Sequence, residues 1–553
     1  MRSTSKSHHR QNSYHHHEHD HNTHHASGLQ RVGDVTLGLM RLVTEGLVYL
    51  LLLGGMLTYG WAADTEREVA ILLMLAGCLY PIGLVALGHW NTSQLPAPWL
   101  WFCAALVMSG WALIQVWPTA AWATPAMPGA PLGDPRVGES LAAAGISVAS
   151  AGWMMADPAV GISAAIELAA WWGLALGIWH MASRQNTAAR LITALAVVGV
   201  IQGLLGAGAF GAGTGNHATG SLYNRNHYGM MMAMLLPIML GAIRLARHSD
   251  DRFNKPLLSG ENPLALGYVA VAVAAVGMMA SASRAAFLFG GLVLLGYVLH
   301  EAWVDAYVER HSKLPEDRPK NRGGELDSAA LRQRAAAAED ARVNDHDDDP
   351  DRKSIDDRPW YYGTIFTPRR LAPAAVLLVL LLGLLSMVDS RGVQGSLDTS
   401  RLDHWRVALD VIHDHPTGIG PGSTWRFLNI YESRHLRQEE AIHVHCDWLQ
   451  YPMEAGLPAA IIVGILLLAA AAQTTRTWYL ADLPINGRRA LVRRAAGWSM
   501  LACLLGALTD FHLRIPMVAV IFAIVSGLWV SYGWREIKST IKQSAAAGRM
   551  AQY

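Results

Sequence analysis

The sequence predicts an all-α polytopic membrane protein with about twelve transmembrane helices and a large extracytoplasmic loop between helices 9 and 10. Composition is the first reason: of 553 residues, 52% are hydrophobic and 16% are charged, and the mean hydropathy is +0.21. A soluble chain of this length is more polar. The second reason is that apolar runs recur, each able to cross, or nearly cross, about 30 Å of hydrocarbon. The third is that basic residues are concentrated in alternate loops.

The apolar runs divide the chain into spans, loops and tails. The predicted spans are 42–61, 69–87, 99–117, 159–182, 191–210, 228–243, 263–280, 285–299, 371–388, 457–472, 495–508 and 515–530. The predicted organisation is therefore a His-rich tail over 1–34, spans one to eight within 35–303, a charged linker over 304–370, span nine over 371–388, a long polar loop over 389–456, spans ten to twelve within 457–533, and a tail over 534–553.

Basic residues set the predicted orientation. Arginines and lysines cluster in loops that fall on one side if the spans alternate: 184–190, 244–255, 310–370, 488–494 and the tail after 534. By the positive-inside rule that side is cytoplasmic, together with both termini. The opposite face then receives 213–227, 283–284, 389–456 and 510–514.

Charge and cysteine usage argue against several classes of function. The formal net charge is +1, so no basic field favours nucleic acid as a partner. Cys78, Cys103 and Cys503 lie in apolar runs, which favours neither a disulfide framework nor a zinc site built from thiolates. The tail over 1–34 could bind a metal ion, but a flexible His-rich tract has little selectivity. No cofactor and no metal is therefore predicted.

The segment AIHVHCDWLQYPMEAGL, residues 441–457, is the strongest candidate for a site. It closes the long polar loop, and a loop of that length between two spans is usually functional. It carries His443, His445, Asp447 and Glu454 at the mouth of a predicted span. If a helix begins there, Asp447 and Glu454 share a face.

This segment resembles the His-Asn-x-x-Leu…Glu-x-Gly signature of the O-antigen ligase and polymerase superfamily. The family histidine corresponds to His445, and Cys446 stands where asparagine is common. The resemblance implies a GT-C-like glycosyltransferase of the bacterial inner membrane, with a polyprenyl-diphosphate-linked glycan as donor. The loop over 389–456 is then the periplasmic catalytic loop.

Three further segments resemble other motifs of the same superfamily. They are the run before span six with Arg225 and Asn226, the Ser-Arg pair ending at Arg284, and the Arg-x-x-x-Trp…Pro-x-Gly-x-Gly pattern that starts at Arg401. A helix N-terminus beside a guanidinium fork suits a diphosphate. The resemblance therefore implies a substrate-binding set: Arg225, Arg284, Arg401, Asn226, His443, Asp447 and Glu454. The alternatives are an ordinary turn at 224–227, snorkelling of Arg284, and a solvated Arg401.

The long loop also contains a predicted amphipathic helix. Leu402, Trp405, Leu409 and Ile412 recur at helical spacing between charged residues. We expect this apolar face to lie along the membrane.

These residues favour metal-independent glycosyl transfer with inversion. Arginines can stabilise a diphosphate leaving group without a metal ion, and a histidine can take the proton from an attacking hydroxyl. His445 is the predicted general base, with Asp447 or Glu454 as its orienting partner. The acceptor would be lipid A-core, which defines a ligase, or a second glycan, which defines a polymerase of O-antigen or exopolysaccharide. The alternative classes are a lipid-linked oligosaccharide transporter and a His-rich metal sensor.

Overall fold

A computed structural model describes residues 11–58, 60, 64–90, 98–116, 139, 142–143, 158–211, 217–249, 264–312, 399–431, 443–480 and 488–530. Within those ranges all regular secondary structure is helical, as the sequence predicted. The described residues within 11–297 and 399–530 belong to one compact unit, and 298–312 belong to a second. Every site residue discussed below lies in the first unit.

The described helices follow one another in chain order. They are α1 (Gln11–Leu57), α2 (Asp64–Gly77), α3 (Leu79–Ala86), α4 (Pro98–Val116), α5 (Pro158–Ala182), α6 (Gln185–Gly211), α7 (Arg225–Ser249), α8 (Leu264–Ala280), a π-helical turn (Ala286–Gly290), α9 (Gly291–Ser312), α10 (Thr399–Asp414), α11 (Thr424–Tyr431), α12 (Asp447–Leu480), α13 (Arg488–Gly506), a 3₁₀ turn (His512–Arg514) and α14 (Pro516–Val530).

The described part of the chain has the helices of a polytopic membrane protein. Seven are long and apolar enough to cross a membrane: Arg31–Leu57, Thr65–Ala86, Val160–Ala182, Asn186–Ala209, Arg225–Arg247, Ala286–Ala306 and Asp447–Leu466. Three more apolar helices are shorter: Phe102–Val116, Ala265–Ala280 and Pro516–Val530. The predicted span over 371–388 and most of the predicted linker over 304–370 lie outside the described residues. The number of twelve spans stays a prediction.

Helix α7 is the centre of the described bundle. Of its apolar span, 72% is buried, a larger share than in any other candidate span. It packs most extensively against α13, and also against α6 and α8. Small residues permit these close approaches, because Gly506 lies directly against Met230 and Gly241 lies against Ala495. Residue Arg225, at the start of this central helix, is thereby fixed in position relative to α13 and the turn that follows it.

Helix α12 is interrupted where two of the sequence motifs meet. Its backbone leaves the helical conformation at Gly456, where φ is +83°, a value that favours glycine. The segment after α10 hydrogen-bonds to this break through Ile419 N to Met453 O at 3.0 Å and Gly420 N to Glu454 O at 2.9 Å. A side chain at either Gly418 or Gly456 would collide with the backbone of the opposite segment. These glycines therefore admit a neighbouring backbone and join the two motifs.

Helix α10 forms as predicted, and it also carries a second apolar face that is buried. Val407, Ala408 and Val411 are buried in a small core, with partly buried Trp405 and Ile412 at its edge. The other members of that core are Ile419, Phe427, Leu428, Val444, Cys446 and Met453. Leu402 and Leu409 of the predicted membrane-facing stripe are exposed. Helix α10 therefore has apolar residues on two faces, and the smaller ones pack against α11 and α12. Contact of the exposed stripe with the membrane stays a prediction.

Candidate functional site

The candidate site is organised around His445, which lies in the turn just before α12. Its backbone is left-handed, with φ +54°, and only Ala282 shares a positive φ among the described non-glycine residues. Its Nδ1 lies 3.0 Å from Asp510 Oδ1, a residue of the turn between α13 and α14. Its ring also lies near the rings of Phe511 and His404, with centroids 5.4 and 6.1 Å away. Strained backbone at a polar cluster is typical of functional sites.

Asp510 is a nearly inaccessible carboxylate with several donors. Asn226 Nδ2 donates to Oδ2 at 3.1 Å, the Phe511 N–H donates to Oδ1 at 3.0 Å, and Arg401 Nη2 lies 3.8 Å from Oδ2. Burial alone would raise the pKa of Asp510, but the hydrogen bond from His445 and the nearby histidines hold this pKa well below its ordinary range. An ionised carboxylate only accepts hydrogen bonds, so Nδ1 of His445 carries the proton.

The tautomer of His445 follows from this contact. With the proton on Nδ1, the neutral ring has its lone pair on Nε2. The His445 side chain is 31% exposed, whereas Asp510 is 2% exposed. The arrangement can therefore offer one basic nitrogen to a substrate while the carboxylate behind it fixes the ring.

Arg401 reaches the same carboxylate from α10. Its Nη1 donates to the Thr509 carbonyl at 2.8 Å, which orients the guanidinium toward Asp510. Its side chain is 29% exposed. The structure thus brings together four residues from four separate segments: Asn226, Arg401, His445 and Asp510.

His443 has a different environment, although only one residue separates it from His445. Gln450 Nε2 donates to its Nδ1 at 3.1 Å, and its ring lies against Phe511 with centroids 3.9 Å apart. Burial, and after it the positive charge of Arg514, lower the pKa of His443 to about 3. His443 is therefore a neutral hydrogen-bond acceptor at neutral pH.

Neither predicted orienting carboxylate contacts His445. Glu454 accepts hydrogen bonds from Thr424 Oγ1 at 2.6 Å and Gln450 Nε2 at 3.1 Å, and it pairs with Arg514 Nη2 at 2.7 Å. Asp447 Oδ2 accepts the Leu513 N–H at 3.1 Å. The expectation is corrected because both carboxylates of α12 have partners in the 513–514 segment, Leu513 for Asp447 and Arg514 for Glu454, and Glu454 is also bonded to Thr424 and Gln450.

The start of α7 brings Arg225 and Asn226 to the edge of this cluster. Asn224 Oδ1 accepts the Asn226 N–H at 2.8 Å, which caps the helix and fixes its first turn. An open cavity of about 380 Å³ adjoins the cap. Its lining residues are His217, Thr219, Tyr223, Asn224 and Arg225. The Ala218 N–H donates to the Ala280 carbonyl at 2.9 Å, which attaches this loop to the end of α8.

Arg284 lies in the tight turn after α8. The turn places Ala282 at φ +49° and precedes the π-helical turn, an irregularity that often accompanies function. Gly229 of α7 lies directly against Ser281 and Ser283 of this turn. The Arg284 side chain is exposed, and within the described residues it forms no ion pair with the other site residues. The structure therefore places Arg284 beside the N-terminal end of α7 and outside the His445 cluster.

Sequence reasoning placed the turn Asp510-Phe-His-Leu-Arg514 on the same face as His445 but assigned none of its residues to the site. His512 is buried, and its Nδ1 lies 3.0 Å from Nδ1 of His227. Arg514 pairs with Glu454, and Phe511 separates the rings of the two loop histidines. One signal was available: three ionisable residues crowd into a five-residue turn between two apolar runs, on the same predicted face as His445. Among the described residues, no group of three or more His, Cys, Asp or Glu is placed to hold a metal ion.

The fold and the site define a helical, multi-span membrane protein with a histidine–aspartate pair and arginines on its polar loops and turns. Residues 359–464 match the family model described as O-antigen ligase. This match confirms the resemblance to the O-antigen ligase and polymerase superfamily. It covers α10, α11 and the start of α12 with His445, whereas Arg225, Arg284 and Asp510 lie outside it. No curated protein matches the chain.

Proposed function

We propose that the protein is an O-antigen ligase-like glycosyltransferase that moves a glycan from a polyprenyl diphosphate to an acceptor hydroxyl. The observation that carries the proposal is the 3.0 Å contact between His445 Nδ1 and Asp510 Oδ1. It fixes the histidine with its second nitrogen available as a base, a geometry that catalysis uses and a carrier does not require. The match to the O-antigen ligase family supports the same class.

In the proposed reaction, His445 Nε2 takes the proton of the acceptor hydroxyl. The hydroxyl oxygen attacks the anomeric carbon of the donor sugar as the bond from that carbon to the diphosphate oxygen breaks. The electron pair of the broken bond leaves with the polyprenyl diphosphate, and the configuration at the anomeric carbon inverts. The ionised Asp510 stabilises the imidazolium that forms.

Arginines neutralise the leaving diphosphate in this proposal. Arg225 lies at the N-terminus of α7, where free N–H groups and the positive end of the helix dipole favour an anion. Arg284 is exposed beside the N-terminal end of the same helix, and Arg401 lies next to His445 and Asp510. A guanidinium binds two phosphate oxygens at once, so charge stabilisation needs no metal ion in this mechanism.

We assign the acceptor to lipid A-core, because the matching family model is that of an O-antigen ligase. Polymerisation onto a second glycan uses the same chemistry and differs only in the acceptor. The test is incubation of purified protein with the lipid-linked glycan and each acceptor, with the product length read on a gel. One block added to lipid A-core supports the ligase, a ladder of repeats identifies a polymerase, and an unchanged donor contradicts transfer.

We further propose a location in the bacterial inner membrane, with both termini cytoplasmic and the site periplasmic. The support is the distribution of basic residues between loops. Single cysteines introduced near Lys320 and near Arg488 should be shielded from a membrane-impermeant thiol reagent in intact cells, while one introduced near Gly422 should be labelled. Labelling at Lys320 in sealed cells would reverse the orientation and move the site to the other face.

A further inference from the structure

Tyr223 is the most exposed of the large apolar side chains in the described part of the chain, at 84%. The other strongly exposed ones, such as Leu57 at 75% and Leu266 at 77%, lie on apolar helices, where lipid contact accounts for their exposure. Tyr223 instead lies in the turn between α6 and α7, among polar residues. Its exposure therefore has a different cause.

The surroundings of Tyr223 have the chemistry of a carbohydrate site. Tyr223 forms one wall of the 380 Å³ cavity, and the remaining lining residues carry an imidazole, a hydroxyl, an amide and a guanidinium. The C–H groups on one face of a pyranose ring pack against an aromatic ring, while the sugar hydroxyls need polar partners around the rim. The cavity offers both kinds of surface.

A chain of hydrogen bonds links the lining of the cavity to the proposed reaction site. Asn224 lines it and accepts the Asn226 N–H, and the Asn226 side chain donates to Asp510, which contacts His445. Arg225, the proposed diphosphate ligand, lies in the same wall. A sugar joined to a diphosphate at Arg225 would therefore lie beside Tyr223.

We infer that the cavity lined by His217, Thr219, Tyr223, Asn224 and Arg225 is a glycan subsite, in which the Tyr223 ring stacks on a sugar next to the diphosphate of the lipid-linked donor. The inference rests on the proposed function, because it assigns part of the donor to this loop. It concerns recognition of the sugar, and Tyr223 takes no part in proton transfer.

An interfacial anchor is the competing explanation for an exposed tyrosine near a membrane. An interfacial anchor would affect binding of the lipid carrier equally with and without a sugar. A stacking platform would affect only the carrier that bears a sugar. The two explanations therefore differ in the ratio of the KM for the lipid-linked glycan to the inhibition constant of the sugar-free polyprenyl diphosphate.

The experiment compares the wild type with Tyr223→Phe, Tyr223→Ala and the lipid-facing control Leu266→Ala, all as full-length proteins. Two quantities are measured: the KM for the lipid-linked glycan, and the inhibition constant of the sugar-free polyprenyl diphosphate. Tyr223→Ala should raise the KM about tenfold, the effect of losing one aromatic contact, with kcat within about twofold. The inhibition constant should stay unchanged, and Tyr223→Phe and Leu266→Ala should resemble the wild type.

Two results would overturn the subsite: an unchanged KM in Tyr223→Ala, or a parallel rise in KM and inhibition constant, which identifies an anchor. If the wild type transfers no glycan at all, the proposed function fails separately. Direct binding of the glycan donor and of the sugar-free carrier is then compared in the same proteins. If Tyr223→Ala leaves the ratio of the affinities for the glycan donor and the sugar-free carrier unchanged, the subsite is overturned in this assay as well.

Discussion

His443 and His445 lie two residues apart in the same turn and have opposite surroundings. His443 faces Gln450 and the ring of Phe511, and burial together with Arg514 lowers its pKa to about 3. His445 faces the ionised carboxylate of Asp510, with Nδ1 3.0 Å from Oδ1. Phe511 lies between the two environments, since it contacts both rings.

The difference shows that the partner, and not the histidine, determines the chemistry available. An imidazole ring with a low pKa is a weak base. It is therefore a poor general base, because the efficiency of proton transfer increases with basicity. A ring held by a carboxylate can accept a proton and return it. The comparison predicts that equivalent substitutions at the two positions have very different consequences.

The largest effect is expected for His445→Ala. A positioned general base contributes about 10² to 10⁴ in rate, so kcat should fall by that factor while donor binding, which depends on the arginines, persists. His443→Ala is the matched control and should lose far less. Single-turnover transfer and donor binding are measured on the same preparations. If the two variants exchange ranks, His443 is the base and the comparison is inverted.

The next largest effect is expected for Arg225→Lys and Arg284→Lys. A guanidinium holds two phosphate oxygens, whereas an ammonium does not, so each change should cost about 10- to 100-fold in kcat/KM. Both side chains would keep their positive charge, which separates bidentate binding from simple attraction. Lys substitution of the exposed Arg406, which pairs with Asp403 on its own helix, is the control. Near-normal turnover of both variants would remove the diphosphate assignment.

The smallest effect concerns acid stability and isolates His443. Its folded pKa of about 3 lies below the unfolded value of about 6.5, so the unfolded state binds more protons between these values. Protonation of His443 therefore favours the unfolded state, and the free energy of unfolding falls as the pH drops below about 6.5. At pH 5 this loss is on the order of 2 kcal/mol. The midpoint of thermal unfolding should fall less between pH 7.5 and pH 5 in His443→Gln than in the wild type. An equal fall in both proteins would show that folding does not lower the pKa of His443.

The sequence predicted helices and motifs better than it predicted partners. Apolar runs follow from composition and periodicity, which are local properties; the predicted span 457–472 lies within α12, which begins ten residues earlier, at Asp447. The partner of His445 does not, because Asp510 is 65 residues away in sequence. It reaches the ring because the start of α12 is held against the end of α13, with Asp447 N donating to the Ala507 carbonyl at 2.9 Å. Asp447 and Glu454 were the near carboxylates in sequence, but helix geometry directs them to the 510–514 turn.

The same limit applies to the faces of elements. On α10, periodicity identified an apolar stripe, but Val407, Ala408 and Val411 are the residues buried, because the core that receives them is assembled from α11 and α12. The glycines of the Pro-x-Gly-x-Gly pattern were a weak signal of close approach. Their partner, the break at Gly456, is visible only in three dimensions.

The most direct test of the account is a double-mutant cycle on His445 and Asp510. Asp510→Asn keeps the size of the side chain but removes the charge that selects the tautomer, and it should lower the rate about 10- to 100-fold. If the pair acts as one unit, Asp510→Asn should cost little further in a His445→Ala background, so the double variant should transfer glycan at the rate of His445→Ala alone. Losses that multiply independently would contradict the claim that Asp510 acts through His445.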